Sequence, residues 1–144
     1  MAKVVLVTVH NPGAMGARYV AASARAAGHD VWLLHFKSLR YETIPSDDLE
    51  TRRRVEASNE LCVHFRRPGY IAYAPFPDPA TDAERQLFQS ELRRLRPDVI
   101  GFSTFSARVD LVRELIALAR EAAPGVPIAW GGVHAILVMP HAGT

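Results

Sequence analysis

Three short stretches of this 144-residue chain combine residue types and positions that could hold a ligand. Asn11-Pro12-Gly13-Ala14-Met15-Gly16 follows a β-branched run and precedes a helix-forming one, so it reads as a strand-to-helix turn. The free N–H groups and positive dipole end of such a helix favour a phosphate or an amide-rich ligand. The same glycines also suit plain turn chemistry. Ser103-Thr104-Phe105-Ser106 sets three hydroxyls at the end of a second apolar run. Small side chains there let a flat ring approach and the hydroxyls donate or accept; Ser106 is equally suited to cap a following helix. Gly131-Gly132 leaves the backbone without Cβ atoms, either for close approach of another group or for a tight turn. His10 and His134 stand near the same places, and a solitary loop histidine reads as structural or solvated before it reads as catalytic.

The elements that must position these residues follow from hydrophobic pattern. Lys3 to Val9, KVVLVTV, is a continuous β-branched run of the kind buried on both faces of a parallel sheet. From Met15 to Ala27 the chain is helix-forming, with Met15, Tyr19, Ala22, Ser23 and Ala26 at helical spacing and Gly28 as the stop. His29 to Phe36 predicts a second strand. Thr81-Asp82-Ala83-Glu84 forms a capping box for a helix from Asp82 to Leu95, with Leu87, Phe88, Leu92 and Leu95 on its apolar face. Asp98 to Ser103 predicts strand three, Ala107 to Ala123 a helix, and Val126 to Trp130 strand four. The state of the apolar stretch Val133 to Met139 is left open.

This alternation predicts right-handed βαβ units and a doubly wound parallel sheet, an α/β flavodoxin-like (Rossmann-like) fold. Ligands bind such sheets beyond the carboxyl ends of the strands, at the switch in strand order. Those ends are His10 to Gly16, Ser103 to Ser106 and Gly131 to His134. The segment from about 37 to 80 interrupts the alternation. It is punctuated by Pro45, Pro68, Pro75, Pro77 and Pro79, has aromatics without strand alternation, and reads as an insertion within one domain spanning 1–144. Asp47 to Leu61 inside it could form a short surface helix.

Composition excludes several classes. Hydrophobic residues at 49% and charged residues at 22% fit a soluble globular chain. No apolar run reaches the ~18–20 residues of a spanning helix, and Met1-Ala2-Lys3 leads straight into a strand without a signal peptide, so a cytoplasmic location is expected. Seventeen Lys and Arg against fifteen Asp and Glu leave a formal charge of +2, which is no nucleic-acid footprint. The lone Cys62 can build neither an internal disulfide nor a zinc or iron–sulfur site. No catalytic residue and no metal ligand is expected from this chain.

Taken together, Arg96 to Ala135, RPDVIGFSTFSARVDLVRELIALAREAAPGVPIAWGGVHA, resembles the second half of the cobalamin-binding domain found ahead of radical S-adenosylmethionine modules. In that family a Pro-Asp-x-x-Gly-x-Ser strand, a helix, a proline turn and a Gly-Gly-x-His-Ala segment follow in this order. Lys3 to Phe36 fits more loosely, and the insertion does not fit. The resemblance implies a corrin over the carboxyl edge, with its nucleotide tail extended (base-off) between the strands toward Ser103 and Gly131-Gly132. The cofactor-binding set is then Asn11, Pro12, Gly13, Ala14, Met15, Gly16, Ser103, Thr104, Phe105, Gly131, Gly132 and His134. Cobalamin-dependent methionine synthases and mutases carry Asp-x-His-x-x-Gly after strand one. With Gly16 matched to its last glycine, Asn11 replaces the Asp and Gly13 the ligating His. A second register, Thr8-x-His10-x-x-Gly13, keeps the histidine and loses the Asp.

The resemblance further implies a B12-dependent radical enzyme, such as a methyltransferase, whose S-adenosylmethionine and [4Fe-4S] cluster belong to a domain absent from this chain. The fifth strand and closing helix of the family are not legible. The chain is therefore expected to be the N-terminal part of a longer protein, with possible self-association through an open sheet edge and no membrane partner. Rival readings are an FMN-binding flavodoxin, a nucleotide-sugar-binding domain and a non-catalytic interaction domain. The turn after strand one lacks the Ser and Thr of the first. The Pro-Asp-Val-Ile-Gly-Phe-Ser segment argues against the second. The acidic residues that the third needs after strands one and three are missing.

Overall fold

Four parallel strands form the central sheet: β1 (Lys3–Val9), β2 (Asp30–Phe36), β6 (Val99–Ser103) and β7 (Ile128–Gly131). They lie in the order β2-β1-β6-β7. The chain runs from β1 to one side and then crosses to the other, which puts the switch point between β1 and β6 and makes the fold flavodoxin-like. This computed structural model describes residues 1–10, 14–38, 42–45, 49–50, 53, 62–67, 70–75, 79–104 and 109–132. Of the expected site residues, Asn11, Pro12, Gly13, Phe105 and His134 therefore lie outside the described residues, as does the stretch Val133 to Met139.

Among the described residues, three helices cover the sheet: α1 (Met15–Ala26) on one face, α2 (Asp82–Leu95) and α3 (Val109–Ala122) on the other. The β1 pleat separates two cores. Val5, Val7 and Val9 join Ile100, Phe102, Phe88, Leu92, Val112 and Leu115 in the larger one beneath α2 and α3. Leu6 on the opposite face forms a smaller cluster with Ala21 and Val31, with Val4 and Ala24 packed around them. Phe36 meets the Phe88 ring edge-on at 5.7 Å, locking β2 to α2. Among the described residues no helix is long and apolar enough to cross a membrane.

The face of α1 differs from its sequence reading. Ala17 and Ala21 are the buried residues, whereas Met15 and Tyr19 are 62% and 68% exposed. Small side chains win because they let the helix lie close to β1 and β2. Ala22, Ser23 and Ala26, the other members of the expected stripe, are exposed as well. On α2, likewise, Leu87 is exposed while Phe88, Leu92 and Leu95 are buried.

The chain divides into two compact units, Met1–Ser38 with Ala80–Thr144, and Leu39–Pro79. The sequence reading saw no strand pattern in the second unit, yet it contains β3 (Glu42–Pro45), β4 (Cys62–Arg67) and β5 (Tyr70–Pro75) in an antiparallel sheet of order β3-β5-β4. The overlooked signal is Pro68-Gly69 between two strand-like runs: Arg67 pairs with Tyr70, so only that dipeptide separates the two strands. The helix expected over Asp47 to Leu61 falls largely outside the described residues; Leu49, Glu50 and Arg53 within it are helical.

The stems on either side of the inserted segment are joined within the first unit. Lys37 Nζ lies 3.2 Å from Glu84 Oε2. The same carboxylate oxygen accepts the Thr81 N–H at 2.8 Å, and the Thr81 hydroxyl accepts the Glu84 N–H at 3.3 Å, completing the α2 capping box. Burial alone would raise the Glu84 carboxyl, but the Thr81 N–H and the Lys37 hydrogen bond and charge outweigh it and hold the group below its ordinary value. A depressed folded-state value means stability that is present above the unfolded glutamate range and is lost as pH falls through the folded one. Thr81→Ala should therefore cost about 1 kcal/mol at neutral pH, with part of that difference disappearing in acid once Glu84 is protonated. Urea unfolding followed by tryptophan fluorescence measures it, because Trp32 and Trp130, the two tryptophans, both lie in the first unit.

Candidate functional site

The carboxyl edge of the sheet is built from rows of residues in register. Thr8 stands opposite His35 on β2 and Ser103 on β6, and Ser103 stands opposite Gly131 on β7. One step inward, Leu6 stands opposite Gly101, and Gly101 opposite Ala129. These rows share the α1 face. The intervening residues, Ile100, Phe102, Ile128 and Trp130, belong to the core on the other face.

The small residues of β6 and β7 leave a cleft of about 330 Å³ beside α1, within the ~300–1,000 Å³ range of small-molecule sites. Its floor comes from Leu6, Gly101 and Ala129, its carboxyl end from Ser103, Gly131 and Gly132, and its wall from Gly16, Ala17 and Val20 of α1. The cleft is almost wholly apolar. Among the described residues that line it, Ser103 has the one polar side chain. Gly16, in the first turn of α1, brings helix N-terminal backbone to the same opening.

Two of these glycines are required by quite different contacts. A Cβ on Gly101 would come within 2.6 Å of Leu6 Cδ2, so the floor is already closed by a neighbouring side chain. Gly132 has φ 97°, and a Cβ there would lie 2.5 Å from the Thr104 carbonyl oxygen and 2.7 Å from its nitrogen. The turn after β7 thus passes directly against the backbone after β6, with the Thr104 N–H donating to the Gly131 carbonyl at 3.3 Å. Gly131 itself is roomier: the nearest atom to its Cβ position is the Phe102 carbonyl oxygen at 3.9 Å.

Of the expected site residues within the described part, the fold brings together Gly16, Ser103, Gly131 and Gly132 at the cleft. Ala14, Met15 and Thr104 do not line it. Ala14 is the N-cap of α1 without a side-chain cap, Met15 is exposed, and Thr104 is buried. Leu6, Ala17, Val20, Gly101 and Ala129 were missed. The signal for the floor was present as alternation: Ile100-Gly101-Phe102-Ser103 and Ile128-Ala129-Trp130-Gly131 both place small residues at every second position.

His10 follows β1 in the left-handed region at φ 57° and is only 6% exposed, with its N–H donating to the Phe36 carbonyl at 3.3 Å. Nearby, Thr8 Oγ1 is 3.1 Å from His35 Nδ1, and His35 Nε2 is 3.4 Å from Ser38 Oγ. Burial lowers the His35 imidazole from its ordinary value and favours its neutral form. Among the described residues, no three His, Cys, Asp or Glu side chains gather as a metal site would require.

A flavodoxin-like domain with an apolar cleft at the switch point, closed by glycines at the carboxyl edge, defines a class of small-ligand binders. Residues 78–141 match the family model of the B12 binding domain, a match that supports cobalamin binding and spans α2, β6, α3 and β7. No curated protein and no solved structure matches the chain.

The glycine contacts separate backbone need from ligand need before any ligand is added. Gly132→Ala should lower unfolding free energy by more than about 1 kcal/mol, because it adds a clash to an unfavourable φ, whereas Gly131→Ala should stay within about 0.5 kcal/mol of the parent. Thermal unfolding of the two variants side by side checks this.

Proposed function

We propose that the chain binds cobalamin base-off, with the nucleotide tail in the cleft beside α1 and the corrin beyond the carboxyl edge. The observation that carries this reading is the floor of small residues, Gly101, Ala129 and Gly131, in register across β6 and β7 and open to one side. A flat base needs two close walls and little side-chain bulk between them, and this floor meets that need. Ser103 at the carboxyl end offers a hydroxyl, and the α1 N-terminus near Gly16 offers N–H groups and a favourable dipole for the tail's phosphate. Asn11, Pro12, Gly13, Phe105 and His134 are proposed to complete the surroundings of the corrin and tail on the strength of the sequence resemblance.

In this reading no imidazole of the chain ligates cobalt. Gly13 occupies the position of the ligating histidine in the favoured register, and the burial of His10 in the strand end supports a structural role for it. Bound cobalamin would supply a cobalt centre able to carry a methyl group. The resemblance of Arg96 to Ala135 supports a role beside a radical S-adenosylmethionine module, in cis or in trans, which would bring the [4Fe-4S] cluster and the catalysis. A three-cysteine Cys-x-x-x-Cys-x-x-Cys motif in the coding sequence downstream of Thr144 tests that association.

Gly131→Val is the direct test of the tail's place, since position 131 has room for a Cβ and an ordinary backbone φ. The variant should stay folded and lose at least about tenfold in hydroxocobalamin affinity by equilibrium dialysis, the effect of a methyl-sized obstruction costing ~1.4 kcal/mol. Cobinamide, which lacks the nucleotide, should bind parent and variant alike. A folded variant that retains cobalamin as well as the parent would move the tail out of the cleft. Electron paramagnetic resonance of the cobalt(II) form should show no nitrogen superhyperfine triplets. Triplets that vanish in His10→Ala would instead make His10 the axial ligand.

A further inference from the structure

We infer that His35 and Ser38, at the end of β2, hold a propionamide arm of the bound corrin and anchor the rim of the ring on the side of the sheet away from the cleft. The inference rests on the reading that the corrin lies beyond the carboxyl edge. One row of residues on the α1 face crosses the whole sheet just inside that edge: His35 on β2, Thr8 on β1, Ser103 on β6 and Gly131 on β7, in mutual register. With neighbouring strands ~4.8 Å apart, the row is about 14 Å long. Its β6–β7 end opens on the cleft. Its β2 end is a chain of polar groups, with Thr8 Oγ1 3.1 Å from His35 Nδ1 and His35 Nε2 3.4 Å from Ser38 Oγ.

The two links of that chain differ. Thr8 is only 6% exposed, so its bond to Nδ1 fixes the imidazole ring from within. Ser38 is exposed and stands just past the strand, and its separation from Nε2 is longer than the usual hydrogen bond. A group arriving from solvent can take up Nε2 and the Ser38 hydroxyl together and leave the inner bond intact. Burial favours the neutral imidazole, which donates at one nitrogen and accepts at the other, and a hydroxyl does both. The partner that suits this pair is neutral and also both donates and accepts, as a primary amide does. The rim of a corrin carries such amides, and the propionamides are its longer arms. Because β2 is the strand farthest from β7, a contact there bears on the ring and not on the tail.

The test measures Kd values of the full chain for hydroxocobalamin and for cobinamide, which keeps the propionamides and lacks the nucleotide, in the parent, His35→Ala and Ser38→Ala. Ser38→Ala, at an exposed position past the strand, should unfold like the parent. Both variants should bind both corrinoids roughly 3- to 10-fold more weakly, the range of one neutral hydrogen bond. The b-, d- and e-monocarboxylic acids of cobalamin each replace one propionamide by a carboxylate, which only accepts. The parent should bind one of the three at least about threefold more weakly than the other two, and His35→Ala should bind all three alike, a change that mere loosening of β2 would not produce. Folded variants that bind both corrinoids like the parent, or three acids bound alike by the parent, would overturn the inference and leave the corrin's placement standing. A loss confined to hydroxocobalamin would move the contact to the tail and overturn it as well. No corrinoid binding by the parent would overturn the placement and the inference together.

Discussion

The structure depends on one register. Ile100 faces Ile128, Gly101 faces Ala129, Phe102 faces Trp130 and Ser103 faces Gly131. Large residues therefore stack with large ones on the side of α2 and α3, and small with small on the side of α1. A one-residue slip would send both large pairs through to the other face, filling the cleft and emptying the core at once. The strands cannot slide, because Ile100 is fully buried among Leu92, Val112 and Leu115, and a misplaced side chain of that size costs a few kcal/mol. The interaction that stabilises the fold thus also holds the cleft open.

The two faces divide the work unequally. Almost all the large buried side chains lie under α2 and α3, where Arg85 bonds Glu114 and Gln89 bonds Glu121 at 2.9 Å to tie the helices together. Among the described residues, the buried cluster of the α1 face is the small group Leu6, Ala21 and Val31. Apolar burial contributes about 25 cal/mol per Å², so the α2–α3 side can supply most of the domain's stability. A cleft beside α1 then removes little from the core. Leu6 has two roles on the α1 face: it packs against Ala21 and, beside Gly101, forms the end of the cleft floor.

Much of this was legible in the sequence because it is written in strong local signals. β1 and α2 were readable from a pure β-branched run and from a Thr-x-x-Glu capping box, both of which act over a few residues and need no tertiary context. The strand ends of the sheet, and with them Ser103 and Gly131-Gly132, followed from topology. What was not legible depended on partners. Met15, Tyr19, Ala22, Ser23 and Ala26 fit the buried stripe of α1 by spacing, yet Ala17 and Ala21 occupy it, since the neighbouring strands decide how close a helix may come. The antiparallel strands of the inserted unit were hidden by their prolines, although Pro45 and Pro75 stand at strand ends, where a missing N–H is tolerated. The floor residues Gly101 and Ala129 went unread because each is unremarkable in its own strand and acquires meaning only when the strands are paired.

The Gly131-Gly132 pair shows why a motif and a site are different things. Read as two adjacent glycines, it suggests one purpose, close approach of a ligand. In the fold the second glycine is demanded by its positive φ and by the Thr104 backbone against it, which would hold in an empty domain as well. The first has no such constraint and faces the cleft. By seating its backbone against that of Thr104, Gly132 fixes the end of β7 at the height of Ser103, where Gly131 lines the cleft. The structural glycine creates the position at which the other can act as a ligand-facing one, so neither role could replace the other, and a bulky residue at 132 would misplace the edge before it obstructed anything.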